Sequence, residues 1–374
     1  MNEDKATRYQ RLKRQASVVS VVWSLSLLAV IVVTGWSAAL RDVAAAWAQR
    51  GPERLREVSA VLLFVAFLSL LHEAAGFPLA VYSGFLLERR YELSNESFRR
   101  WLGDQAKSFA VGLGLGVVAA ELVYGSIRAW PAAWWLVSGL VFIGLIVVLT
   151  NLAPILLLPL FYPVKPLDRD ALTARLLALA DRAGARVLGA YEWGLGDKTK
   201  KANAALAGLG STRRILVSDT MLSQYSDDEI EVVLAHELAH HVHGDIWKGI
   251  AFDSALVIGG FYIASVVLPI AAGRLGLHGA QDVAGLPLLL LAAGAVSVVA
   301  VPIAHAMSRR FERSADRFAL DLTRNPGAFI SAMRRLGAQN LAEEQPSRMV
   351  QWLFYSHPPM RDRIAAARAF VDGG

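Results

Sequence analysis

Long apolar runs separated by short clusters of charge set the layout of this chain. Six stretches, residues 16–40, 58–87, 108–127, 133–160, 250–272 and 286–305, read as membrane helices, since a helix needs about 20 apolar residues to cross a bilayer. The first follows Lys5, Arg8, Arg11, Lys13 and Arg14. That arrangement resembles the start of a signal peptide, but the apolar run is too long for one and more spans follow, so it reads as an uncleaved first span. The second and fourth runs are long and contain Pro78 and Pro154, which predicts tilt or kinks. The fourth also fits a span followed by an interfacial segment, and Trp134 and Trp135 at its start form an interfacial aromatic belt.

Outside these runs the periodicity changes. Leu172, Leu176, Leu177, Leu179 and Ala180 share one face at helical spacing. Residues 190–193 and 214–218 read as short strands. Ser226 followed by Glu229 is a capping box, and it opens a helix that runs through Ile230, Val233 and Leu234 toward a group of histidines. The chain therefore divides into spans one to four with their loops (1–164), the first part of a soluble domain (165–249), a membrane hairpin (250–305) and the second part of that domain (306–374). The basic amino-terminal cluster and the loop with Arg89, Arg90, Arg99, Arg100 and Lys107 put both parts of the domain on the cytoplasmic side, although Arg41, Arg50, Arg54 and Arg56 in the first outer loop weaken the bias. The expected fold is mainly α: a multi-pass bundle of about six spans with a small cytoplasmic α+β domain.

Composition sharpens this reading in two places. The chain is 55% hydrophobic and 19% charged, and its net charge of +6 comes from residues flanking spans rather than from a basic stretch with interleaved aromatics. No nucleic-acid partner is expected. Cysteine is absent, which excludes disulfides and thiolate metal sites and leaves only His and carboxylates to hold a metal.

The run Leu234-Ala-His-Glu-Leu-Ala-His-His241 contains H-E-x-x-H. Residues four apart on a helix share a face, so His236 and His240 can present ring nitrogens to one Zn²⁺. Glu237 is placed to take a proton from the attacking water and pass it to the leaving amine. A catalytic zinc has three protein ligands and one open position. Glu312, in Glu312-Arg-Ser-Ala-Asp316 just after the sixth span, is the candidate third ligand. The other reading of Glu312 is a solvated carboxylate among Arg309, Arg310 and Arg313. His241, His243 and Asp245 are rivals for the ligand role, but none shares the His236–His240 face at suitable spacing. Asp316, one turn on, suits the role of accepting the free N–H of a ligating imidazole.

Taken together, these motifs resemble the integral-membrane CAAX prenyl endopeptidases and their bacterial relatives, from about residue 80 onward. Glu88-Arg-Arg-Tyr-Glu-Leu-Ser-Asn95 and Asp104-Gln-Ala-Lys107 are similar to the family's loop after the second span. Asn203-Ala204 and Arg214-Ile-Leu-Val-Ser-Asp-Thr220 are similar to the strand before its zinc helix. Glu312 to Asp316 resembles its E-x-x-A-D motif, and Ser356-His-Pro-Pro359 with Arg363 resembles its C-terminal motif. The resemblance implies one Zn²⁺ per chain, Glu312 as its third ligand, His357 as a stabiliser of the oxyanion, Asn203 as a residue that holds substrate or orients the site, and Arg363 as a support. The chain departs from the eukaryotic members, which have a seventh span and a Ser/His-rich run where this sequence has Gly196-Asp-Lys-Thr-Lys-Lys201.

Ionisable residues within spans are costly and usually face a bundle interior or a water-filled cavity. His72 and Glu73 in the second span are candidates to line an internal chamber, with Glu121 and Asp253, closer to span ends, weaker ones. The expected protein is an integral membrane zinc endopeptidase acting on membrane-associated or C-terminally lipidated peptides, with the bilayer as its other partner. Two alternatives are a quality-control protease without prenyl recognition and a non-catalytic scaffold or transporter with structural zinc. Glu237 beside the ligands disfavours the second, since a structural site needs no base.

Overall fold

A computed structural model describes residues 4–208 and 212–372. Among the described residues six helices are long and apolar enough to cross a membrane, and they fall where the apolar runs lie: Lys5–Val33, Glu53–Arg90, Phe98–Ala129, Trp134–Phe161, Asp245–Leu275 and Val283–Thr323. Their outward faces expose Val18, Val22, Ile270, Val299 and Ile303, as expected where hydrocarbon is the solvent. Their inward faces share a core that includes Ile31, Phe64, Leu68, Tyr124 and Leu268.

The first span departs from its predicted 16–40 bounds. Helix α1 (Lys5–Val33) starts within the basic cluster and stops before Thr34, and a separate helix α2 (Trp36–Ala48) follows. Gly35 between them has φ +79°, a left-handed conformation open to glycine at no steric cost. Helix α2 is pinned by Arg41, which meets the buried Asp282 at 2.5 Å.

In the second span, α3 (Arg56–Ala80) contains Pro78 and passes into a π-helical turn at Val81–Leu86 before a last helical turn, Leu87–Arg90. The π-helical turn begins three residues beyond the proline. After α4 (Phe98–Ala129), the fourth span is α5 (Trp134–Leu156), with Pro154 inside it and a short separate helix, Leu158–Phe161, beyond.

Outside the membrane, β1 (Val164–Pro166), β2 (Ala190–Trp193), β3 (Ala204–Ala207) and β4 (Arg214–Ser218) form one sheet in the order β1-β2-β4-β3. The β2–β4 pair is parallel and the other two pairs are antiparallel. Strands β2 and β4 match the sequence expectation, whereas β1 and β3 were not foreseen. Among the described residues, the helices that share a core with the sheet include the short Asp219–Gln224 after β4, α6 (Asp170–Arg182), α7 (Asp227–Val242), the end of the long α9 (Leu286–Thr323), α10 (Pro326–Gln339) and α12 (Met360–Asp372). Between α7 and α9 the chain enters the membrane as α8 (Asp245–Leu275), and α11 (Arg348–Phe354) precedes α12. Leu172, Leu176 and Leu179 of α6, Ile215 and Val217 of β4, Ile230, Leu234 and Leu238 of α7, Ala319 and Leu320 of α9, and Phe329 and Met333 of α10 form one buried cluster. Side chains on both sides of the membrane hairpin therefore share a core.

The loop after the second span docks on this core region. Ser94 bridges Thr199, the Asn95 N–H donates to the Lys198 carbonyl at 2.9 Å, and Lys198 pairs with Asp104. Glu88 pairs with Lys13 of α1 and with Lys201, the latter at 2.8 Å.

The capping box is complete: the Ser226 hydroxyl accepts from the Glu229 N–H, and the Glu229 carboxylate accepts from the Ser226 N–H at 2.8 Å. Glu229 is buried and also accepts from the Ser331 hydroxyl at 2.6 Å, tying α7 to α10. Ser226→Ala should therefore destabilise the protein by ~1 kcal/mol, read as a lowered thermal midpoint in detergent with the secondary structure of the folded state unchanged.

Candidate metal centre

Helix α7 carries His236, Glu237 and His240 on its buried side, and the end of α9 crosses it. Spacing on α9 matters as much as spacing on α7: Glu312 and Asp316 are one turn apart and both are buried against the histidines. Glu312 Oε2 lies 3.3 Å from His236 Nε2, and Glu312 Oε1 lies 3.5 Å from His240 Nε2. One donor atom from each of the three residues falls within 4.8 Å of the others.

The far side of each ring is also occupied. His236 Nδ1 is 2.9 Å from Asp316 Oδ1, and His240 Nδ1 is 3.0 Å from Asp245 Oδ2. Donation of each Nδ1–H to a carboxylate leaves both Nε2 lone pairs directed at Glu312. Glu312 Oε2 is buried and has no hydrogen-bond partner. Two imidazole nitrogens and one orphaned carboxylate oxygen, with no cysteine in the chain, are the donor set that suits Zn²⁺ in a site with an open position.

Asp316 is itself held by Arg363 of α12, whose Nε donates to Oδ2 at 2.8 Å and whose Nη2 donates to Oδ1 at 2.5 Å. Arg363 is buried and lies 4.0 Å from Glu312. His357 comes in from the loop before α12: its Nε2 is 3.2 Å from Glu312 Oε1, and its Nδ1 is 2.8 Å from the Ser356 hydroxyl. Its side chain remains 57% exposed, so it faces solvent on the open side of the cluster.

The electrostatics follow the geometry. Burial alone would disfavour a charged His236, but the Asp316 and Glu312 carboxylates outweigh it and lift the ring to about 9. His240 is shifted the same way, with burial again opposed by Glu312 and Asp245. Burial pushes the Glu237 carboxyl above its ordinary value, against the pull of His236 and His240.

Of the rival ligands, His241 turns away, its Nε2 lying 3.4 Å from the Leu206 carbonyl oxygen on β3. His243 faces Ser314 and the Phe318 ring. Asp245 has a different role from the one weighed for it: it grips His240 from behind. It sits in the first turn of α8, where a helix N-terminus favours a carboxylate. Gly244, at φ +67°, supplies the left-handed reversal that folds α8 back beside α7. The available signal was an acidic residue just past a glycine at the end of the histidine helix.

Asn203 directly precedes β3 and is exposed, with its main chain bonded to Ser218. Among the described residues no hydrogen bond or ion pair joins its side chain to the histidine cluster. His72 and Glu73 line an apolar cavity of about 760 Å³ within the bundle, and His72 Nε2 is 3.1 Å from the Ser24 hydroxyl. Glu121 and Asp253 are not among that cavity's lining residues. Glu121 sits 3.9 Å from Arg128, and Asp253 is exposed.

Comparison with known proteins gives matches along nearly the whole chain. The family described as Peptidase family M48 matches residues 166–371, and the one described as CAAX prenyl protease N-terminal, five membrane helices, matches residues 2–163. The uncharacterized metalloprotease YhfN of Bacillus subtilis is 28% identical over 367 residues, covering 97% of this chain and 84% of that one. CAAX prenyl protease 1 of Saccharomyces cerevisiae is 27% identical over 259 residues, covering 67% of this chain and 56% of that one. The crystal structure of S. mikatae Ste24p superposes with a TM-score of 0.86 at 21% identity, covering 97% of this chain and 88% of that chain, which establishes a shared fold.

Asp245→Asn should weaken metal binding about 10–100-fold, because the amide cannot match a carboxylate as acceptor for the His240 N–H. Competition with a chelating dye measures this, and Asp253→Asn, at an exposed site on the same helix, should leave the affinity unchanged.

Proposed function

The chain belongs to peptidase family M48 and is a membrane zinc metalloendopeptidase; from that premise we propose that His236, His240 and Glu312 hold the Zn²⁺, with Glu237 as the general base. The observation that carries this assignment is the convergence of the two Nε2 atoms on the unpartnered Glu312 oxygen while both Nδ1 atoms are held by carboxylates. When bound, the Zn²⁺ supplies Lewis acidity, acidifying a water and polarising the scissile carbonyl.

The remaining steps belong to the protein's own side chains. Glu237 takes the proton from the attacking water and returns it to the leaving amine. His357, on the open side, donates to the oxygen on which charge develops. Asp316 and Asp245 hold the two imidazoles in one tautomer, and Arg363 neutralises Asp316. Strand β3 is an edge of the sheet and is joined to α7 through the His241 contact with Leu206, so an extended substrate can add to it through main-chain hydrogen bonds. Asn203, at the start of that edge, is in position to hold the substrate main chain. Residues 165–249 and 306–374 act as one peptidase unit, on the cytoplasmic side by the charge bias of the loops.

The substrates are peptides or proteins at the membrane, and the similarity to proteins called CAAX prenyl proteases points to C-terminally lipidated ones. The rival is a quality-control protease indifferent to lipidation. Detergent-purified protein, assayed with a farnesylated C-a-a-X peptide and its unlipidated twin, separates the two. A clear preference for the lipidated peptide supports prenyl recognition, and equal cleavage supports quality control.

Glu237→Gln should lower kcat by about 10²–10⁴-fold while zinc content stays at the wild-type level. Undiminished cleavage by this variant would refute Glu237 as the base. Removal of zinc with a chelator should abolish cleavage of both peptides in the wild type, and added Zn²⁺ should restore it; a chelated protein that still cuts would refute the metal assignment.

A further inference from the structure

His357 sits in the segment Tyr355–Pro359, between α11 and α12, and its own backbone gives it little support. Pro358 and Pro359 have no N–H to donate, and α11 is only seven residues long. Yet His357 Nε2 is set 3.2 Å from Glu312. Two groups from distant parts of the chain fix the residue two positions earlier.

The first is Arg309 of α9. Its Nη1 donates to the Gln351 carbonyl at 2.9 Å and to the Tyr355 carbonyl at 2.6 Å. The Gln351 carbonyl already accepts from the Tyr355 N–H that caps α11, at 3.2 Å, so the guanidinium adds a second donor there and also takes the first carbonyl beyond the helix. Arg309 is three residues before Glu312, so the helix that carries the metal-facing carboxylate also carries this clamp.

The second is a triad around the Tyr355 hydroxyl. The hydroxyl donates to Glu343 Oε2 at 2.8 Å, and Arg14 Nη1 donates to the hydroxyl oxygen at 2.9 Å and to Glu343 Oε2 at 2.5 Å. Glu343 is buried, and the Arg14 side chain is only 17% exposed. Arg14 belongs to α1, the first membrane span. A buried ion pair contributes little net stability against well-packed apolar residues but is strict about geometry, which suits positioning better than bulk stabilisation.

We propose that Arg309 and the Arg14–Glu343–Tyr355 triad are positioning residues for His357, so that the first membrane helix takes part in placing a catalytic group. This rests on the reading that His357 acts in the reaction. Tyr355 is held at its carbonyl from α9 and at its hydroxyl from α1. With both ends fixed, the short path from Tyr355 to His357 leaves the imidazole a narrow range beside Glu312. Loss of either hold frees the loop without touching a metal ligand.

The test uses the full chain in detergent with the peptide substrate above. Tyr355→Phe removes one hydroxyl, Glu343→Gln keeps the shape of the triad, and Arg309→Lys keeps the charge but loses the fork. Each is made in the wild type and in His357→Ala, with zinc content, kcat, KM and hydrogen exchange of the 354–360 segment measured. Tyr355→Phe should lower kcat about five- to tenfold, the scale of one hydrogen bond, with KM and zinc content unchanged and exchange of the segment increased. In the His357→Ala background the same substitution should cause no further loss of kcat. Unchanged kcat in Tyr355→Phe, or a loss that persists in full without His357, overturns the proposal. If His357→Ala alone leaves kcat intact, the catalytic role of His357 fails and exchange decides the positioning: faster exchange in the variants upholds it, and unchanged exchange overturns it.

Discussion

The crossing of α7 by the end of α9 is the contact on which the rest of the structure depends. Burying carboxylates is expensive unless each finds a partner, and this crossing buries Glu312 and Asp316 together, with Asp245 close behind His240. Arg363 is the one buried guanidinium against those three carboxylates among the described residues, with Lys248 reaching Asp245 from the surface at 2.9 Å. The fold thus concentrates three carboxylates at one point, balanced by Arg363, by Lys248 and by the protons that the two histidines hold beside them. A divalent cation between the two Nε2 atoms and Glu312 would replace those protons, so that metal binding and the packing of α7 on α9 would stabilise one another.

The same crossing places the histidine cluster on the part of a long helix that follows its apolar stretch. Helix α9 leaves the bundle with its face already set by the span, and α8 begins only a residue after the turn that ends α7. The histidine helix is therefore flanked at both ends of the hairpin by helices whose tilt the bilayer governs. Contacts between Asp104 and Lys198 and between Glu88 and Lys201 tie two more long apolar helices, the third and the second, to the same unit.

Much of this was legible in the sequence because it is local. The capping box, the i, i+4 histidines and the apolar face of α6 are each specified within a few residues, and the structure contains all three. The apolar runs gave the number of long helices but not the break at Gly35, which only the backbone conformation reveals. Strand β3 reads Ala-Ala-Leu-Ala and β1 reads Val-Lys-Pro. Alanine has weak strand preference and proline argues against a strand interior, so neither carried a signal. Arg14 meeting Glu343 was illegible for another reason: periodicity tells which face of a helix is buried, not what lies against it. Asp245 was visible as a metal-type residue, but its place behind His240 depended on a turn whose direction the sequence does not state.

The sheet has two edges of unlike character. On one side, β1 ends in Pro166 and carries Lys165, and a strand that lacks an N–H and presents a charge resists pairing with a stranger. On the other, β3 offers small side chains beside the histidine helix. A docking rail built from peptide groups is blind to the letters of the chain laid along it. A protease that used such a rail would discriminate by reach rather than by spelling, and a lipid on the substrate would act by setting the height at which the membrane holds the segment to be cut.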